Sequence, residues 1–76
     1  MSDVAPDEKT LMRVLLALGI TKIDVPKLNE VTGISIPVLV ESLERLISRG
    51  LVADGYDDFA RFYYLTREGN KIAQRL

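Results

Sequence analysis

The chain has 76 residues, ten of them basic and eleven acidic, which gives a formal net charge of −1 at pH 7. It contains neither cysteine nor histidine, which excludes disulfides and thiolate metal sites and removes the commonest metal ligand and general base. A hydrophobic content of 47% is typical of one small folded domain. We expect a single domain over residues 1–76, frayed at 1–5, with no metal, no cofactor and no enzymatic activity.

No apolar run approaches the roughly 20 residues needed to span a bilayer, and the first residues lack the basic start and apolar core of a secretory signal. We therefore expect a cytoplasmic protein with no membrane partner. The near balance of charges does not by itself indicate nucleic acid, because DNA-binding domains usually carry a basic excess or a concentrated basic face. Whether the chain binds nucleic acid therefore has to be judged from where the charged residues lie along the sequence.

A first helix is predicted with Pro6, a residue suited to that position, in its first turn. Asp7 and Glu8 place negative charge near the start of this helix. Apolar residues then recur at i, i+3, i+4 and i+7, which indicates an amphipathic helix, and Gly19 is suited to end it. The inward residues of this helix are Leu11, Val14, Leu15 and Leu18, with Met12 and Leu16 widening the stripe.

The segment after the first helix is short and is rich in β-branched residues. Residues 20–25 alternate weakly, which predicts a connector or a short edge strand. A second helix is predicted from Pro26, with Asp24 as the nearest N-cap. In this helix Leu28 and Val31 are expected to face inward, and a turn follows.

The third predicted helix, residues 36–49, is marked at both of its ends. Ser35 is suited to be its N-cap, and Pro37 lies in the first turn, where the missing N–H costs little. Gly50 can adopt the left-handed conformation that closes a helix. The core stripe of this helix is Leu39, Leu43 and Leu46, flanked by Ile36 and Ile47.

Beyond the third helix the apolar pattern changes from a helical period to a strand period. Residues 51–65 predict a hairpin whose strands, 51–53 and 61–65, are joined by an acidic loop that contains Gly55. This loop is longer than a tight two-residue turn.

The second strand of the hairpin is densely aromatic. If Tyr63 points inward, strand alternation sends Phe62 and Tyr64 outward or onto the first helix. A last helix is predicted after Thr66, which is suited to cap it. The residues of this helix expected to pack on the core are Ile72, Ala73 and Leu76.

The predicted order is helix, short strand, helix, helix, strand, strand, helix, a mainly α fold with a small β-hairpin (α+β). The strings LNEVTGIS, LVESLERLISRGLV and LTREGNKIA resemble the winged helix-turn-helix domains of MarR- and ArsR-like transcriptional regulators. The resemblance covers roughly residues 8–76. It implies a regulator whose helix 36–49 enters the major groove of double-stranded DNA as the recognition helix, with hairpin 51–65 as a wing. A homodimer is also expected, paired through the first helix, the last helix or the hairpin.

The resemblance also implies which residues contact DNA. On a helical wheel, the face of the third helix opposite its leucines carries Pro37, Val38, Glu41, Glu44, Arg45, Ser48 and Arg49. The expected contacts to bases are Ser35, Val38, Glu41 and Arg45, and the expected contacts to the phosphate backbone are Lys27, Arg49 and Arg61. Valine and glutamate stand here where the family commonly carries hydroxyl and basic residues.

Those departures leave a second reading open, in which the domain is a protein-interaction module or complex subunit that kept the fold and lost the DNA readout. Glu41 and Arg45 would then be a surface ion pair at i, i+4, and Arg49 a favourable charge at the helix C-terminus. The predicted wing is acidic as well, since it carries Asp54, Asp57 and Asp58.

Two further surfaces can be interpreted in either way. The aromatic residues Phe62 and Tyr64 complete the core of a small domain or form an exposed patch used for association. Arg67, Lys71 and Arg75 recur every four residues along the last helix. They form either a solvated face or the most concentrated positive surface of the chain.

Overall fold

The computed structural model describes residues 6–19, 22–57 and 60–76. Its elements are α1 (Glu8–Ala17), α2 (Val25–Thr32), α3 (Ile36–Ser48), β1 (Val52–Tyr56), β2 (Arg61–Leu65) and α4 (Arg67–Ala73). The two strands form an antiparallel hairpin, so the predicted α+β order is confirmed. The predicted fraying of residues 1–5 lies outside the described residues, as does Asp58 of the predicted acidic wing. Within the described ranges, no helix is long and apolar enough to cross a membrane.

Three helices begin with a side chain that caps the backbone. Asp7 caps α1, Asp24 caps α2 and Thr66 caps α4, each by accepting the backbone N–H three residues later at 2.9–3.1 Å. Such a bond satisfies one of the N–H groups that a helix start leaves unpaired. Ser35 occupies the N-cap position of α3, but its hydroxyl makes no capping hydrogen bond. Ser35 therefore has the extended backbone conformation of the predicted N-cap but not its side-chain hydrogen bond.

The end of α3 is closed as the sequence predicted. Gly50 has a φ of 77°, its N–H donates to the carbonyl of Ile47 at 2.9 Å, and the N–H of Leu51 donates to the carbonyl of Leu46 at 3.0 Å. These two bonds form a Schellman motif and satisfy carbonyls that a helix end leaves free. The start of α4 docks on the same turn, because the hydroxyl of Thr66 donates to the carbonyl of Gly50 at 2.7 Å.

The core lies where α1 and α3 meet, closed by α2 and the inner face of the hairpin. Ile23 forms an isolated antiparallel bridge with Tyr63, so within residues 22–25 the predicted edge strand is reduced to one residue pair. Residues 20 and 21 of that prediction lie outside the described residues. Burying a large aliphatic side chain contributes about 1.5–3 kcal/mol, which makes the leucine stripes the main stabilising element. The buried apolar residues are Leu11, Val14, Leu15, Leu18, Leu28, Ile34, Leu39, Leu43, Leu46, Leu51, Val52 and Tyr63.

Four apolar side chains that the sequence predicted to face inward are exposed instead. They are Leu16, Val31, Ile36 and Leu76, with exposed fractions of 52, 59, 45 and 55%. In α2 the inward stripe starts at Val25, which packs on the core, and continues through Leu28 to Thr32. Thr32 can lie there because its hydroxyl donates to the carbonyl of Leu28 at 2.7 Å. Val31 is therefore left beside the stripe, and Leu76 lies beyond the end of α4.

The inward arc of α3 is shifted relative to the predicted one. Ser42 is completely buried, and its hydroxyl donates to the carbonyl of Val38 at 2.7 Å, which satisfies the polar group within the helix. Ser42 thus extends the buried arc toward Val38, which packs against the core. On the other edge of the arc, Ile36 and Val40 remain exposed.

The first strand of the hairpin is longer than predicted. β1 runs to Tyr56, so Gly55 lies in the strand and not in the loop, and it faces Phe62 across the ladder. A Cβ at Gly55 would lie 2.8 Å from Cζ of Phe62, which shows that the ring covers this position. The predicted alternation of β2 is confirmed, because Tyr63 is buried and Tyr64 is 41% exposed.

Candidate nucleic-acid interface

The outward surface of α3 is apolar at its start and charged at its end. Its exposed residues, with the N-cap, are Ser35, Ile36, Pro37, Val40, Glu44, Arg45, Ser48 and Arg49, and Glu41 is half-buried. The predicted outward orientation of Val38 is wrong, because this side chain is half-buried against the core. Val40, 41% exposed, lies on the opposite edge of the buried arc of α3 from Val38.

Glu41 and Arg45 form the ion pair that their i, i+4 spacing predicts. Nε of Arg45 lies 3.3 Å from Oε2 of Glu41, and the two side chains are 46% and 38% exposed. Exposed pairs of this kind contribute little to stability because water screens them. The charges of this pair cancel, and the exposed carboxylate of Glu44 adds a negative charge beside it.

Arg49 is held by a carboxylate from a different helix. Its two guanidinium nitrogens donate to the two carboxylate oxygens of Glu8 at 2.7 and 3.1 Å, a bidentate geometry that is stronger than a single contact. The hydrogen bonds from Arg49 lower the pKa of Glu8 and, in return, raise the pKa of Arg49. This contact joins the start of α1 to the end of α3.

Arg61, the predicted wing arginine, is paired across the hairpin. Its Nη2 and Nε lie 2.7 and 2.9 Å from Oδ2 of Asp54. Its guanidinium also lies 5.3 Å from the ring centre of Tyr63 and 5.9 Å from that of Tyr56, within cation–π range. The hydrogen bond to Asp54 raises the pKa of Arg61. The guanidinium of Arg61 thus contacts residues of its own hairpin.

Lys27 is the most loosely held of the predicted basic residues. Its Nζ lies 3.4 Å from Oε1 of Glu30, with the two side chains 60% and 71% exposed. A point charge on a flexible stem is easily redirected. All four basic residues predicted to contact DNA therefore have a carboxylate partner within the protein.

A second positive surface lies away from α3. Nζ of Lys22 lies 4.5 Å from the ring centre of Phe62, and Lys22 and Arg67 line one shallow cleft between the end of α1 and the start of α4. Neither of these two side chains has a carboxylate within ion-pair distance among the residues the structure describes. On α4, Lys71 pairs with Glu68 at 3.8 Å.

Sequence reasoning did not identify the two acidic partners that matter most here. Asp54 and Arg61 face neighbouring positions of a hairpin, so the correct strand register would have paired them. Glu8 and Arg49 are separated by 41 residues, and no local pattern links them. A phosphate can bind Lys27, Arg45, Arg49 or Arg61 where it replaces the carboxylate partner, and the exposure of these pairs permits that exchange.

No protein-family profile matches the sequence, and no curated protein matches it. Solved structures do match its fold. The oxidized form of MarR from E. coli gives a TM-score of 0.80 at 23% identity, covering 86% of this chain and 48% of MarR. A candidate HxlR-family transcriptional factor from Thermoplasma volcanium gives 0.82 at 26% identity, covering 91% and 65%.

A third similar structure matches this chain in length as well. It is a candidate DNA-binding protein from Ralstonia eutropha, with a TM-score of 0.75 at 26% identity, covering 92% of this chain and 96% of the other. In contrast, the chain spans about half the length of the MarR structure. These likenesses confirm the winged helix-turn-helix fold predicted from the sequence, and the structural neighbours include winged-helix transcriptional regulators.

Proposed function

We propose that this chain is a DNA-binding transcriptional regulator, with α3 as the recognition helix in the major groove and the β1–β2 hairpin as the wing. The observation that carries the proposal is the match to the candidate DNA-binding protein from Ralstonia eutropha, because it spans nearly the whole of both chains. In helix-turn-helix proteins the second helix of the motif contacts base edges with its N-terminal residues. The start of α3 is exposed here, as that role requires.

The proposed contacts divide between bases and backbone. Phosphate contacts position a protein on the duplex, and contacts to base edges carry the sequence information. We assign Lys27, Arg49 and Arg61 to phosphates, because their side chains are basic and are 60, 43 and 47% exposed. The residues assigned to base edges are Ser35, Glu41 and Arg45, together with Ile36 and Val40 in place of Val38.

Binding in this arrangement is an exchange of ion-pair partners. A guanidinium that holds a carboxylate in a bidentate manner, as Arg49 holds Glu8, presents the same fork to a phosphate. The carboxylates released by the exchange remain near the duplex and repel it. We therefore expect modest affinity for non-specific DNA.

A salt titration tests the proposal. Three phosphate contacts predict a slope of log K against log salt of about −2.7, so a rise from about 50 to 200 mM salt weakens binding about 40-fold. The measurement is fluorescence anisotropy of a labelled mixed-sequence duplex. Absence of binding at low salt, or an affinity indifferent to salt, contradicts the proposal and favours the protein-interaction reading.

Paired variants show whether the wing takes part. Arg61→Ala removes one proposed phosphate contact and is expected to reduce the salt slope by about 1. Arg75→Ala removes the same charge beyond the end of α4 and is the matched control, expected to leave the slope nearly unchanged. Equal effects of the two variants would show that only net charge matters.

A further inference from the structure

The first two turns of α3 present apolar side chains to solvent. Ile36 and Val40 are 45% and 41% exposed, and they lie four residues apart, so they share one edge of the helix. Pro37 between them is exposed as well. The first charged residue of α3, Glu41, directly follows Val40 in the sequence. The end of α3 that would reach bases first therefore carries side chains that neither donate nor accept hydrogen bonds.

The neighbouring polar groups do not compensate for this. The hydroxyl of Ser42 is buried and donates to the carbonyl of Val38. Glu41 and Arg45 are paired with each other at 3.3 Å. Among the described residues at the start of α3, Ser35 is the one exposed polar residue. Its hydroxyl makes no capping hydrogen bond.

The major groove offers a single apolar feature to such a surface. Each base pair presents hydrogen-bond donors and acceptors there, and thymine alone adds the C5-methyl group. Apolar side chains make favourable contact with that methyl group. A neutral, apolar helix edge matches it and does not match the charged phosphates on either side of the groove.

We propose that Ile36 and Val40 recognise the C5-methyl groups of thymines in the major groove, which gives the protein a preference for A·T pairs. This inference rests on the proposed function, since it requires that α3 enters the groove. The recognised feature is the methyl group itself, so 5-methylcytosine substitutes for thymine at the same position.

Duplexes that differ only in methyl groups test the inference. Alternating A–T DNA duplexes of about 21 base pairs, two helical turns, and the same DNA duplexes with deoxyuridine in place of thymidine (A–U) keep the same hydrogen-bond pattern. Burial of one methyl group predicts about 4-fold tighter binding to the A–T duplex, and burial of two predicts about 15-fold. Alternating G–C duplexes with and without 5-methylcytosine measure the same effect in another sequence, and the methylated duplex is expected to bind more tightly.

Variants separate methyl contact from differences in duplex shape. Ile36→Ala combined with Val40→Ala is expected to bring the ratio of A–T to A–U affinity close to 1. Val31→Ala, which removes a valine that is 59% exposed on α2, is the control and is expected to keep the ratio. Circular dichroism confirms that each variant is folded.

Each outcome decides between the two proposals. If the wild-type protein binds A–T and A–U duplexes equally, or if the double variant keeps the ratio, methyl recognition is wrong and DNA binding stands. If the protein binds none of the duplexes at low salt, the proposed function fails together with the inference. A preference for the methylated duplex that only the double variant loses supports both.

Discussion

Gly69 is the residue on which the docking of α4 depends most closely. It is buried in the first turn of the helix, and a Cβ placed on it would overlap the carbonyl oxygen of Leu51. Thr66, three residues earlier, donates its N–H to the same carbonyl at 3.1 Å. The backbone of α4 therefore approaches the end of α3 more closely than any side chain permits.

Gly69→Ala is expected to destabilise the fold, although alanine is the better helix former by up to about 1 kcal/mol. The added methyl group meets backbone atoms that cannot rotate away, and overpacking of this kind costs about 1–3 kcal/mol. Urea unfolding measures the difference. Asn70→Ala, at the exposed neighbouring position, is the control and is expected to change stability by less than about 0.5 kcal/mol. A Gly69→Ala protein as stable as wild type contradicts the close approach.

The residues that sequence reasoning placed correctly are those whose role is local. Asp24 and Gly50 act on backbone groups a few residues away, and the leucine spacing of α3 fixes its inward side. Val38 was misplaced because a buried serine, satisfied inside its own helix, cannot be distinguished on a wheel from a surface serine. Gly69 is required by a contact with the backbone of Leu51, and Gly55 lies under the ring of Phe62, contacts between elements that the linear pattern does not contain.

Among the helices and strands, two ion pairs join one element to another. Glu8 and Arg49 link α1 to α3, and Asp54 and Arg61 link β1 to β2. Both arginines are those that the sequence assigned to the DNA backbone. The elements were predictable from the sequence, whereas the α1–α3 contact was not, because it depends on how the two helices pack.

Glu8→Gln is expected to strengthen DNA binding. The substitution removes the carboxylate that holds Arg49 and its repulsion of phosphate, so Arg49 becomes free to bind the duplex. We expect several-fold tighter binding at low salt and a steeper salt dependence, both measured by anisotropy with the mixed-sequence duplex.

Glu68→Gln is the matched control for this prediction. It makes the same change in charge by releasing Lys71 on α4, outside the proposed interface. If the two variants strengthen binding equally, the effect is one of net charge, and Arg49 has no particular role. If Glu8→Gln leaves binding unchanged, Arg49 does not contact DNA.

For the molecule as a whole, the fold favours a DNA-binding function, whereas the net charge does not. The architecture is that of winged-helix regulators, yet the net charge is −1 and the cations of the proposed interface are paired with carboxylates. If the proposed function holds, we expect such a surface to bind DNA of arbitrary sequence weakly and to depend on contacts to particular bases for its affinity. The exposed apolar start of α3 is the feature best suited to supply those contacts.

The proposal that α3 and the β1–β2 hairpin bind DNA is tested by mapping which residues contact a duplex. The protein labelled with ¹⁵N is titrated with a duplex that it binds, and amide chemical shifts are followed by NMR. We expect the largest changes on α3 and on the two hairpin strands, with α4 nearly unaffected. Changes concentrated on Lys22 and α4, or no changes at saturating duplex, would contradict it.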